Sequence, residues 1–195
     1  MKKRKVSLPL IFGTLLLLVS LCLGLVTHYR MYAGAQKSQR IVSQMWDMLP
    51  ERTPGMPGMY TDSGMPVLEI DGIDYVAMLE IPLLGIRLPV AGNWDSEKLS
   101  DSPARFFGSV YDQTLVIGGA DYPKQFGFCD KIEHGTKVVV TDMTGVQFAY
   151  TVSRIDRAKD AENQWLMDED YDLTLFCRDL YSMEYIAVRC MFAYQ

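Results

Sequence analysis

Residues 6–26 form a run of 21 residues without a single charge, rich in leucine. An apolar stretch near ~20 residues crosses the ~30 Å hydrocarbon core of a bilayer as a helix. Lys2, Lys3, Arg4 and Lys5 precede it, while only His28 and Arg30 follow closely. By the positive-inside rule that asymmetry puts the N-terminus in the cytoplasm and the rest of the chain outside. The run exceeds the ~7–15-residue core of a cleavable signal peptide. Ala33-Gly34-Ala35 resembles a cleavage site, but His28 and Arg30 stand between it and the run. Leu21 before Cys22 is not the small residue that a lipoprotein signal requires, so Cys22 reads as an apolar residue of the span. The expectation is a single-pass signal anchor, 1–30, with an extracellular C-terminal domain.

Charge separates the two parts further. Residues 1–30 hold five of the 19 Lys+Arg and none of the 24 Asp+Glu, leaving the body of the chain at a net −10. Such a body repels polyanions and has no basic patch to offset that, so nucleic acid is excluded as a partner. Beyond the span lie Cys129, Cys177 and Cys190, an odd number too sparse for a disulfide scaffold. Each reads as a buried apolar thiol or as a nucleophile.

Residues 31–66 form a connecting region. Ile41, Val42, Met45, Trp46 and Leu49 recur near a 3.6 spacing and predict a short amphipathic helix over 35–49. Residues 50–66 are rich in Pro, Gly and Met and read as a stalk. From residue 67 short strands take over, at 67–70, 75–79, 86–90, 115–117, 137–141, 148–155, 173–176 and 185–192. Asp71-Gly72 and Asp142-Met143-Thr144-Gly145 supply turns, and 158–167 has helical character. This pattern predicts a mainly β domain, 67–195, folded as a closed antiparallel barrel with short helices.

Four segments of that domain resemble the sortases, membrane-anchored cysteine transpeptidases of Gram-positive cell surfaces. Leu79-Glu80-Ile81-Pro82-Leu83-Leu84-Gly85-Ile86-Arg87-Leu88-Pro89-Val90 is similar to the family's opening motif. Leu115-Val116-Ile117-Gly118-Gly119, with Phe126-Gly127 beyond it, resembles the strand that leads to the catalytic histidine. Tyr171-Asp172-Leu173-Thr174-Leu175-Phe176 resembles the approach to the nucleophile, and Tyr185-Ile186-Ala187-Val188-Arg189-Cys190 the last strand. The long segment before the nucleophile strand is most similar to class B and related clostridial-type members. The resemblance implies the eight-stranded sortase barrel over 67–195.

It also implies a site, and there the chain departs from the family. Sortase chemistry uses a thiolate to attack a peptide carbonyl, a histidine to handle the leaving amine's proton, and an arginine to stabilise the oxyanion. Here Ala120 stands at the family's histidine position and Tyr185 at its arginine position. In Thr174-Leu175-Phe176-Cys177-Arg178 the ungapped alignment puts Arg178 at the nucleophile position, with Cys177 one residue early. Side chains alternate along a strand, so Cys177 faces the opposite side unless a deletion shifts the register. The one extracellular histidine, His134, falls in a predicted surface turn. A retained hairpin would set Arg178 beside Tyr185, either as a cation–π plug or as an anion or peptide-carboxylate contact. The same register places Cys177 near Ile186 and Cys190 near Leu173, too far apart for a disulfide.

The implied groove is Ala120, Asp121, Tyr122, Arg178 and Tyr185. Asp168, Glu169, Asp170 and Asp172 lack EF-hand spacing and read as solvated charge, so neither metal nor cofactor is expected. The leading expectation is a catalytically degenerate pseudo-sortase, a peptide-binding or scaffolding module at the cell surface. Its partners would be the bilayer and a sorting-signal peptide or an envelope protein. The alternative is an active transpeptidase that uses Cys177. A third reading keeps only the architecture, with the barrel assisting assembly of other envelope proteins.

Overall fold

The computed structural model describes residues 8–60 and 64–194; the basic tail at 2–5 lies outside the described residues. Helix α1, Leu8–Met48, runs unbroken for 41 residues. The anchor and the amphipathic helix over 35–49 are therefore one helix, because no proline interrupts the chain between Pro9 in its first turn and Pro50 just past its end. Its N-terminal part is exposed and apolar, long enough to cross a membrane. Its C-terminal part buries Ser38, Ile41, Val42 and Met45 against the domain, where Ile41, Val42 and Met45 meet Ile70, Tyr75 and Met78. Gly34 makes the closest approach: a Cβ there would sit 2.4 Å from the Ser100 carbonyl oxygen.

The strands are β1 (Thr53–Pro54), β2 (Leu68–Ile70), β3 (Ile73–Ile81), β4 (Ile86–Ala91), β5 (Ala104–Phe107), β6 (Leu115–Gly118), β7 (Lys137–Asp142), β8 (Val146–Ala158), β9 (Leu173–Arg178) and β10 (Tyr185–Phe192). A short helix, α2 (Asn163–Leu166), lies between β8 and β9. Eight strands close into a ring in the order β3-β4-β5-β6-β9-β10-β8-β7, with β7 pairing back to β3. Six seams are antiparallel, whereas β4 with β5 and β6 with β9 are parallel. The expected barrel is thus closed but mixed; the long connections over 92–103 and 119–172 supply the crossovers that parallel pairing needs. The stalk region is not free of the barrel. β1 pairs with β8, Met65 is buried in the core, and Tyr60 stacks on Tyr111 with ring centroids 4.4 Å apart.

Turn chemistry sets the register. Asp71 (φ 54°) and Gly72 (φ 73°) make a two-residue hairpin that pairs Ile70 with Ile73, so β3 begins two residues before its expected start. At the β7–β8 hairpin the Asp142 carboxylate accepts the Thr144 and Val146 backbone N–H groups at 2.8 and 2.9 Å. Inward residues of the ring, including Leu79, Leu88, Ile117, Val140, Phe148, Leu175 and Val188, form one core. Two patches of the outer surface are also covered: β2–β3 by α1, and β6–β9–β10 by the loops around Trp94 and 161–167.

Candidate functional site

Gly118 on β6 lies opposite Phe176 on β9, so Ala120 and Arg178, two residues further along each, reach the same end of the barrel. Arg178 in turn lies opposite Tyr185 on β10. The three positions implied by the family likeness therefore come together, occupied by a methyl group, a guanidinium and a phenol. The Arg178 guanidinium carbon lies 5.7 Å from the Tyr185 ring centroid, and its Nε donates to the Met183 carbonyl at 3.3 Å. Ala120 is fixed through its backbone: its N–H donates to Gln125 Oε1 at 2.8 Å, and its carbonyl accepts from Phe126 N–H at 3.0 Å. Asp121 ties this loop to the β9–β10 loop by accepting the Leu180 N–H at 3.0 Å. Tyr122 turns the other way, toward α1, where it borders a cavity with His28 and Tyr32.

Cys177 takes no part in that arrangement. It lies opposite Ile186, 1% exposed, on the inner face of β9 with Leu173 and Leu175. Its Sγ donates to the Phe126 carbonyl at 3.7 Å, the same oxygen that accepts the Cys129 N–H at 3.0 Å. Burial first, and the neighbouring Cys177 thiol second, push the Cys129 thiol well above its ordinary pKa. Cys177 thus keeps company with a second apolar thiol. His134 is exposed on the turn before β7, outside the core that holds Cys177. Cys190 lies opposite Leu173, and all three cysteines of the domain are free thiols.

Beside these positions, the outer face of β6, β9 and β10 is largely covered by the chain's own side chains. Trp94 stacks on Phe176 with centroids 5.5 Å apart and meets Phe106 edge-on at 5.0 Å. Gly118 makes room for it: a Cβ there would lie 2.4 Å from the Trp94 ring and 2.6 Å from Phe176. Further along the same face Arg189 is fully buried, donating to the Leu166 carbonyl at 3.1 Å, to Thr174 Oγ1 at 3.0 Å and to the Trp165 carbonyl. Its Nε lies 3.4 Å from Asp156, and Trp165 and Tyr171 flank its guanidinium. Neither Trp94 nor Arg189 stands out in the sequence. The only local sign of Arg189 is a cation at an outward position of a strand that is otherwise apolar.

Asp168 accepts the Asp170 N–H at 3.1 Å and Asp172 accepts the Phe192 N–H at 2.6 Å. Among the described residues no group of three or more His, Cys, Asp or Glu is placed to hold a metal.

No family model and no curated protein matches the chain. Solved structures do. A sortase D5 transpeptidase of Clostridium perfringens aligns with TM-score 0.52 and 17% identity, over 62% of this chain and 80% of that one. Sortase C1 of Streptococcus agalactiae gives 0.55 and 21%, over 65% and 72%. Sortase A of Corynebacterium diphtheriae gives 0.55 and 16%, over 86% and 84%. These are classes D, C and A, so the likeness to class B rests on the sequence alone. The chain has the sortase fold.

Proposed function

We propose that this chain is a membrane-anchored member of the sortase family that no longer performs transpeptidation and serves the cell surface as a binding or scaffolding module. The observation that carries this reading is the opposite facing of Cys177 and Arg178. A thiol that is to attack a peptide carbonyl must stand in the groove, beside a base that handles the proton. At the end of β6, β9 and β10 the groove offers Ala120, Arg178 and Tyr185, none of which is a nucleophile paired with a base. Residues of a catalytic unit act together, so losing one of them removes most of the rate.

The fill of Trp94, Phe106 and Phe176 favours scaffolding over capture of an extended peptide along this face, because such a peptide would first have to displace the rings. Anchoring is supported by the exposed apolar length of α1, and orientation by the cations at 2–5. The test is to incubate the purified full chain with a panel of sorting-signal peptides and acceptor amines, following acyl-enzyme and product by mass spectrometry. No adduct and no cleavage are expected. Turnover or a thioester on Cys177, abolished by Cys177→Ala, would establish the active transpeptidase instead.

A further inference from the structure

Resting on the reading of α1 as a membrane anchor, we infer that one edge of the barrel lies on the bilayer surface, with His28 and Lys124 at the rim of the cavity at its root meeting lipid phosphates. Depth along the helix is the first argument. The uncharged run ends at Val26, and the helix continues without a break to its contact with the barrel at Gly34. At 1.5 Å per residue, His28 and Tyr32 stand about 3 and 9 Å beyond the end of the run. The headgroup layer occupies roughly 5–8 Å on each side of the hydrocarbon core. His28 and Tyr32 line a cavity of about 160 Å³ together with Ser38 of the helix and Tyr122, Pro123 and Lys124 of the loop after β6. The end of the cavity at His28 therefore lies in the headgroup layer, with Tyr32 just past it and Ser38, about 18 Å beyond the run, clear of the membrane; the loop at 122–124 borders the same cavity.

The chemistry of the cavity's rim fits a lipid headgroup. Its walls are mostly apolar, from Tyr32, Ala35, Tyr122 and Pro123. At the rim, Lys124 makes no ion pair among the described residues and stands with His28 where a phosphate would be. Tyr29 and Tyr32, both exposed on α1, supply the aromatic residues typical of membrane–water interfaces.

The surface beside the cavity continues the pattern. Pro123 also borders a hollow shared with Leu180 and Tyr181. Leu180, Tyr181 and Met183 are 60%, 97% and 51% exposed at the tip of the β9–β10 loop, an apolar knob that an aqueous surface does not explain. Asp121 holds that knob in place through Leu180.

The test uses the full chain in vesicles that contain a photoreactive phospholipid, with crosslinked peptides mapped by mass spectrometry. Adducts are expected on 28–32, 122–124 and 180–183 as well as on the span at 11–26. Lys124→Glu and Tyr181→Asp, both at exposed positions, should lower the adducts outside the span severalfold and leave those on the span and the near-ultraviolet circular dichroism unchanged. Adducts confined to 11–26, or adducts outside the span that neither variant changes, would overturn the inference while leaving the anchor intact. A chain that fails to integrate into the vesicles would overturn the anchor and the inference with it.

Discussion

Cys177 and Arg178 are neighbours in sequence and face opposite sides of β9: the thiol is buried in the barrel core beside Cys129, and the guanidinium is outside over the Tyr185 ring. A strand cannot present both to one groove. A thiol locked inside a packed core reacts only when the core opens. A thiosulfonate reagent near neutral pH should therefore label Cys177 at least about a hundredfold more slowly in the native chain than in urea. Rapid native labelling would mean an activated, accessible thiolate and would return the residue to catalysis.

Arg189 holds the segment over 163–171 against the outer face of β9 and β10. Its donors satisfy the Trp165 and Leu166 carbonyls and Thr174, while Asp156 keeps a second partner in Arg154 at 2.6 Å. Replacing it by Met fills part of the volume but leaves those acceptors without a donor. Arg189→Met should cost about 2–4 kcal/mol in urea unfolding. Hydrogen exchange over 163–171 should rise more than elsewhere in the barrel.

Gly118 is a close-approach glycine, and its role is steric. Its φ is not in the left-handed region, so the requirement for glycine comes from the Trp94 and Phe176 rings. Gly118→Ala should displace Trp94 from its stack and cost about 1–3 kcal/mol. The displaced indole should show a red-shifted emission relative to the parent chain. An unchanged spectrum and stability would mean that the ring packing is looser than the contacts describe.

How much of this was legible in the residues differs from element to element. The barrel was, because short apolar and β-branched runs and the turns between them, such as Asp71-Gly72 and Asp142-Gly145, act locally. The Arg178–Tyr185 register followed from the hairpin that the family resemblance implied. β5 was not legible: four residues, between Pro103 and Gly108, carry too little periodicity to register as a strand. The helical character over 158–167 shrank to the four residues of α2, because β8 extends to Ala158 to pair with Tyr185. The covered outer face was hidden for another reason. Trp94, Phe106 and Phe176 are far apart in sequence, and only the closure of β5, β6 and β9 brings them together.

Alkaline pH should destabilise the domain. Burial raises the thiol pKa of Cys190 and of Cys129, and raises the phenol of Tyr150, whose hydroxyl is buried without a partner. In the unfolded chain thiols ionise near 8.5 and phenols near 10. The folded state therefore keeps protons that the unfolded state releases, so the contribution is complete below about pH 8.5 and is lost as pH rises above it. Each buried thiol can contribute up to about 1.4 kcal/mol per pH unit over that range. Urea midpoints should fall from pH 8 to pH 10, and Cys190→Ala should make the fall shallower whatever its effect at pH 7.

The C-terminal half of α1 is part of the folded domain, and cutting it away should show this. Ile41, Val42 and Met45 are between 0% and 4% exposed, packed on Ile70, Tyr75 and Met78, and Lys37 pairs with Asp101 at 2.7 Å. Burying a large aliphatic side chain is worth about 1.5–3 kcal/mol, an upper value because the unfolded chain already covers some of it. The exposed ion pair adds little. A fragment beginning at residue 50 should therefore be less stable than one beginning at residue 31 by roughly 3–6 kcal/mol. It should also expose the Tyr75–Met78 face and self-associate through it. Equal urea midpoints for the two fragments would mean that the helix merely rests on the barrel, and a barrel free to tumble on its anchor could not keep the loop at 122–124 beside the membrane surface.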